Sequence, residues 1–213
     1  MIKFLHNNRG LTLIEVLLTL VITAIVSTVI YSTFTTGIKL YQKIGIEGQL
    51  RDDADYIATM ILNQFYENSP SFVENFENAG VKGVKLVRYK EKTVERYVIE
   101  DNIKLDKIIL IYLKDNKFYI KNLRVDNLKN ADNVNDLSEG DEIEISNDSS
   151  ILTTIDGESS SINLDIYSCR SNKNEAKCNH GTIKLIIAIG DENQNRSSFL
   201  KTKPMLLKSS FGY

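Results

Sequence analysis

The chain has 213 residues, a formal net charge of -2, two cysteines, two prolines and no tryptophan. A quarter of the residues are charged and the signs are mixed, so the charge balance offers no electrostatic case for nucleic acid or an anionic surface. The length suits one apolar helix plus one globular domain of ordinary size, and no long low-complexity segment interrupts it.

The first ten residues, MIKFLHNNRG, are polar and carry Lys3 and Arg9. From Leu11 to Tyr31 there is no Lys, Arg, Asp, Gly or Pro, and only threonines, one serine and Glu15 break the apolar run. A helix rises about 1.5 Å per residue and a bilayer core is about 30 Å thick, so a run of this length can span it. A secretory leader has a shorter apolar part and places its small residues behind it. Here Gly10 stands in front, so a cut would come before the helix. The basic leader stays in the cytoplasm by the positive-inside tendency, and the rest of the chain is exported.

Glu15 is the first candidate site. A carboxylate inside hydrocarbon costs at least a few kcal/mol and marks a functional position by default. On position alone, an anchor whose acid sits near enough to the interface to stay wet explains it equally well.

Leu50, Ala54, Ile57, Ile61 and Phe65 recur at spacings of three and four, an apolar helical face. Pro70 supplies a stop, so one helix is predicted from Leu11 to about Tyr66. Gly37, Gly45 and Gly48 each cost about 1 kcal/mol against alanine in a helix. With Thr33, Thr35 and Thr36 they mark its weakest stretch, either a plain break or a segment that loosens on packing.

From residue 80 the period becomes two. Val84–Tyr89 and Val94–Ile99 read as a hairpin turning at Lys90–Thr93. Ile108–Leu113 and Phe118–Val125 read as a second, turning at Asp115–Asn116. Residues 126–141 read as loop, with Val134 and Leu137 able to dock. Glu142–Ile145 and Ile162–Tyr167 alternate, and Thr182–Ile189 is the most apolar strand, expected at the centre of a sheet. Asp191–Ser197 turns the chain, and Phe199–Leu207 returns as a strand that Pro204 pushes to an edge. The predicted class is α+β: a long N-terminal helix, half transmembrane and half amphipathic, on a mostly antiparallel β-rich head.

Few residues suggest chemistry. Cys169 and Cys178 bracket a short polar loop, and outside the cell they can close a disulfide worth about 2–3 kcal/mol. Free thiols are the next outcome. The spacing of Cys169, Cys178 and His180 could supply three zinc ligands, but no fourth is identifiable. His6 lies in the leader and no motif ties His180 to a nucleophile. There is no G-x-S-x-G, P-loop, H-E-x-x-H or Gly-rich nucleotide turn, and no cofactor is implied. Asp52-Asp53 and Asp141-Glu142 read as solvated surface acids. The oxygen-rich stretch Asp191–Asn195 lacks a full calcium pattern and reads as a turn. The chain is not expected to be an enzyme.

Lys3 and Arg9, then Gly10, Leu11 and Thr12-Leu13-Ile14-Glu15 ahead of an apolar helix, resemble the class III leader of type IV pilins and their relatives in type II secretion and competence systems. The resemblance covers about the first thirty residues. It departs from the family pattern at Leu11, where phenylalanine is commoner, and at Ser32, near a proline of many major pilins. It implies cleavage after Gly10 by a membrane-embedded aspartyl prepilin peptidase and methylation of the new amine of Leu11. It also implies an assembly contact from Glu15 to that amine, in its own chain or in a neighbouring subunit, four residues apart on one helical face. The late strand, polar turn and strand are similar to the ends of minor pilins and pseudopilins of the PilW/PulJ type. The layout implied is residues 1–10 as cleaved leader and 11–31 as transmembrane and filament-core helix, then 32–69 as amphipathic continuation and 70–213 as exported pilin-like head. The implied partners are the prepilin peptidase, major and minor pilins or pseudopilins, the membrane assembly platform, and the bilayer before assembly; no nucleic acid is implied. Pilus subunit, secretion or competence pseudopilin, and membrane-tethered adhesin or binding protein remain alternatives.

Overall fold

The computed structural model describes residues 12–78, 80–94, 97–123, 140–145, 150–169, 177–192 and 201–213. Of the expected 126–141 loop, residues 126–139, with Val134 and Leu137, lie outside the described residues, as do Gly10 and Leu11, while Asp141 is already strand. Packing separates two units, Met1–Gly45 and Ile46–Tyr213.

Helix α1 runs from Leu13 to Asn68 without interruption at Gly37, Gly45 or Gly48. In the first unit its apolar side chains are exposed throughout, Leu13 and Ile30 among them. It is the one helix, among the described residues, long and apolar enough to cross a membrane. The threonine hydroxyls from Thr19 to Thr36 are satisfied by the helix itself. Thr19 donates to the Val16 carbonyl at 2.9 Å, Thr23 to Thr19 at 2.7 Å, Thr28 to Ala24 at 2.9 Å and Thr33 to Val29 at 2.9 Å. In hydrocarbon, where no water can serve them, such internal bonds remove most of the cost of a threonine.

In the second unit, Leu50, Ala54, Ile57, Ile61 and Phe65 are buried as the spacing predicts, joined by Asp53, Ala58 and Asn68. The helix ends where Ser69 turns left-handed, φ 39°, ahead of Pro70. Its last carbonyls meet cations, as the helix dipole favours. Arg88 donates to the Asn68 carbonyl at 3.4 Å, and Lys107 donates to the Asn68 side-chain oxygen at 2.7 Å.

Twelve strands follow among the described residues: β1 Phe72–Asn78, β2 Val81–Val94, β3 Tyr97–Lys114, β4 Lys117–Leu123, β5 Asp141–Ile145, β6 Ser150–Leu152, β7 Thr154–Ile155, β8 Glu158–Ser159, β9 Ser161–Asp165, β10 Lys177–Cys178, β11 Thr182–Asp191 and β12 Met205–Gly212. A six-stranded sheet has the order β10-β1-β2-β3-β4-β5. In the second sheet β12 and β6 flank β11, and β9 pairs beside β6 on the same edge of β11. Every pairing is antiparallel. The fold is α+β, a long N-terminal helix whose C-terminal half packs on antiparallel sheets.

The α1 stripe, Val84, Leu86, Ile109, Ile111 and Ile120 of the first sheet, and Ile162, Leu164, Ile183, Leu185 and Ile187 of the second form one core. The other face of the first sheet buries a separate cluster of Phe72, Phe76, Val87, Ile108, Leu110 and Tyr112. Strand β3 is therefore buried on both faces along Ile108–Tyr112, which is why that stretch is a continuous apolar run.

Several expectations are corrected. Lys90–Thr93 is strand: β2 and β3 pair on through Lys90↔Asp101 to Val94↔Tyr97, and the two strands expected after residue 94 are one. The turn at Asp115-Asn116 holds, both residues left-handed at φ 49° and 59°, as a two-residue hairpin needs. Strand β1 was not expected, because Asn and Glu conceal the apolar Phe72, Val73 and Phe76. The short β6, β7 and β8 were not expected either. Alternation after Ile162 ends at Asp165, and Ile166–Ser168 is a 3-10 turn with Ile166 and Tyr167 exposed. The C-terminal strand starts after Pro204 and runs to Gly212; it does lie at a sheet edge.

Strands β6 and β9 are one strand interrupted. Leu152 pairs with Ile189 and Ser161 with Ile186, and the β7–β8 hairpin leaves the sheet between them. Ala188, fully buried, faces the gap. Ser160 fills it: its hydroxyl oxygen accepts from the Ala188 N–H at 2.9 Å and donates to the Ala188 carbonyl at 3.2 Å. The Thr153 N–H also donates to that carbonyl, at 2.9 Å.

Candidate functional site

The helix start is built by Thr12 and Glu15. The Thr12 backbone N–H and hydroxyl both donate to Oε2 of Glu15 at 3.0 Å. The Glu15 N–H in turn lies 3.4 Å from the Thr12 hydroxyl oxygen. With Leu13 as first helical residue, Thr12 is the N-cap and Glu15 the third position, a reciprocal capping box. The signal T-x-x-E is present in the sequence as Thr12-Leu13-Ile14-Glu15, yet reading Glu15 for its charge alone misses Thr12. The other carboxylate oxygen, Oε1, has no hydrogen-bond partner among the described residues. Of the expected site, the structure thus brings Glu15 to Thr12; Gly10 and Leu11 lie outside the described residues.

The box does two things chemically. It fixes where the helix begins, and it holds one carboxylate oxygen, Oε2, with two donors. The N-terminal position also suits a negative charge, because unsatisfied N–H groups and the helix dipole gather there.

In the head, Cys169 and Cys178 are disulfide-bonded with Cα atoms 5.5 Å apart, inside the range such a bond spans. Cys169 follows the 3-10 turn after β9 and Cys178 lies in β10, so the bond ties one sheet to the other. Both sulfurs are thereby committed, and the exposed His180 has no thiolate beside it to form a zinc set. Among the described residues no group of three or more His, Cys, Asp and Glu side chains could hold a metal ion.

The paired acids do not converge. Asp53 is buried on α1, contrary to the surface reading, while Asp52 is exposed. Glu142 on β5 accepts from the buried Tyr112 hydroxyl; burial, then that bond, pushes the Tyr112 phenol up. Lys184 holds the Asp165 carboxyl below the usual range, at 2.9 Å. Asp191 closes β11, and Asn193–Asn195 lie outside the described residues. A cavity of about 490 Å³ opens between Ile57, the Asp115–Lys117 turn, β6 and Glu192. Ser150 lines it, but no histidine does, and Lys117 is paired with Glu144 at 2.5 Å.

Residues 5–31 match the family model of the prokaryotic N-terminal methylation motif. Neither the curated proteins nor the solved structures give a significant match. The matched stretch contains the capping box, Glu15 and the exposed apolar start of α1. Over that stretch the chain resembles the class III prepilin leader and apolar helix of type IV pilin-like proteins.

Proposed function

We propose that this chain is a filament subunit whose work is assembly. A prepilin peptidase cuts between Gly10 and Leu11 and methylates Leu11. Residues 11–31 hold the mature chain in the membrane with its head exported, and the helix then packs among other pilins or pseudopilins as a platform draws the subunit out. The observation that carries this reading is the methylation motif over residues 5–31, whose described part from Leu13 lies on a helix with its apolar side chains exposed. Such a surface has two stable environments, lipid and other apolar helices.

The capping box refines the role of Glu15. Its Oε2 is held within the chain, so the open Oε1 is the atom that meets an amine, its own or a neighbour's. A carboxylate carrying two donors before it meets that amine is less costly to hold in hydrocarbon than a bare one. The Cys169–Cys178 bond fits an exported head in an oxidising compartment. The large head and its late strand pair favour a minor pilin or pseudopilin of the initiating or tip complex.

The test is the N-terminal residue and mass of the protein from cells with and without the prepilin peptidase. A mature chain beginning at N-methylated Leu11, seen only with the peptidase, is the expected result. A chain that starts at Met1 in both, or is cut beyond Tyr31, would refute the proposal.

A further inference from the structure

Strand β2 pairs with β1 only as far as Val87, and β4 reaches β3 only from Ile108. Beyond those points, among the described residues, β2 and β3 have only each other, from Tyr89↔Leu105 to Val94↔Tyr97. Six further residues of β2 at about 3.3 Å each carry this ribbon roughly 20 Å past the sheet. Successive residues of a strand point to opposite faces, so burial of one face alternates along it. Here Lys90, Glu91 and Lys92 are exposed without alternation, and so are Tyr97, Val98, Ile99 and Glu100. At these described residues both faces are exposed.

The base is fixed. Ser71 donates its hydroxyl to Glu100 at 2.8 Å and accepts from the Tyr89 N–H at 3.1 Å. Arg88 meets Asp106 at 3.6 Å, and register shifts on either side of Tyr89 bend the ribbon there. The end is apolar: Tyr97 is 74% exposed, Val98 62% and Ile99 43%. A lone two-stranded ribbon is marginal in water, and an apolar end makes it more so.

We infer that this ribbon is an arm that docks on the head of a neighbouring subunit in the same filament. The inference rests on the assembly reading above. Lys90, Lys92, Arg96 and Lys104 are balanced by Glu91, Glu95, Glu100 and Asp101, so the arm lacks the basic excess that nucleic acid or an anionic lipid surface would need. Three apolar side chains are also far too little for a free-standing complex, whose partners each bury about 800 Å². A contact that small holds when its partner is already tethered alongside, because tethering replaces a bimolecular step with a local concentration in the millimolar range. Subunits sharing one bundle of apolar helices are tethered in that way.

The test uses the full chain in cells that contain its prepilin peptidase. A photo-crosslinking residue replaces Val98, and separately the pair Val98→Asp and Ile99→Asp is introduced. Expected are an adduct of this chain with another chain bearing a methylated pilin N-terminus, and a drop of about tenfold in recovery of the double variant in filaments. The double variant should keep its mature N-terminus and its melting temperature, since the altered side chains touch no core. An adduct with lipid or with a protein outside the filament would overturn the inference, as would full incorporation of the double variant. In those cases the assembly reading stands. A chain still beginning at Met1 would remove both together.

Discussion

Replacing Thr12 by valine tests the capping box with almost no change in shape. Valine keeps the branched side chain and loses the hydroxyl, which donates to Glu15 Oε2 at 3.0 Å and faces the Glu15 N–H at 3.4 Å. The backbone bond from the Thr12 N–H to Oε2 remains. Loss of an N-cap hydroxyl costs about 1 kcal/mol, up to about 2, and a hydrogen bond to a charged group is worth about 1.5–3 kcal/mol. The two overlap at this site, so about 2 kcal/mol is expected, roughly a 30-fold shift toward a frayed first turn. Amide hydrogen exchange of Glu15 and Val16, whose N–H groups donate to the Thr12 carbonyl at 3.1 and 3.3 Å, reads that shift directly in detergent micelles. Thr12→Val should exchange roughly 30-fold faster there, while Thr12→Ser, which retains the hydroxyl, should stay within a few-fold of the parent. Filament yield should follow the same order. Equal protection in the valine and serine variants would refute the claim that the hydroxyl positions Glu15.

Two further outcomes follow from the head. Ser160→Ala leaves the Ala188 N–H buried without its acceptor, at a cost of about 1–3 kcal/mol; the melting temperature should fall by about 3–10 °C, and an unchanged midpoint would show that the gap between β6 and β9 closes without the serine. In the folded head, burial raises the phenol pKa values of Tyr112 and Tyr213 above the ordinary value of 10.0, so the unfolded chain loses these protons first. Their contribution is complete below pH 10 and is lost as pH rises from 10 toward the folded values; denaturant titrations between pH 8 and 11 should show stability falling above about pH 10, and Tyr112→Phe should flatten that fall.

What the sequence shows well is what repeats. Leu50, Ala54, Ile57, Ile61 and Phe65 fall on one helical face because burial imposes a period, and all five are buried. Thr182–Ile189 is apolar because β11 has neighbours on both edges and core beneath it. Asp115-Asn116 is legible because few residues tolerate a left-handed backbone. The failures share a cause: a partner distant in the chain decides the local state. Lys90–Thr93 has turn chemistry, yet Val98–Asp101 opposite holds it as strand. Phe72–Asn78 has weak β composition, yet it is paired by β2 on one edge and β10 on the other. The hairpin between β6 and β9 depends on one serine that no pattern distinguishes from its neighbours in Glu158-Ser159-Ser160-Ser161.

Glu15 shows how a correct emphasis can still leave out half of a site. Its charge singles it out, because an acid in an apolar run needs a reason. The charge says nothing about which atoms answer it. The structure gives that answer locally: Oε2 belongs to Thr12, three residues back, and this pairing does not involve the bond proposed for cleavage. The proposed cleavage between Gly10 and Leu11 would leave the Thr12 amide and hydroxyl unchanged, so the box would persist while a new amine appeared one residue before it. Under the proposed processing, the cut would add a cation near a carboxylate already oriented by Thr12. On the proposed function, Glu15 would have a role in each state of the chain: helix cap in the precursor, and cap plus ion partner in the assembling subunit.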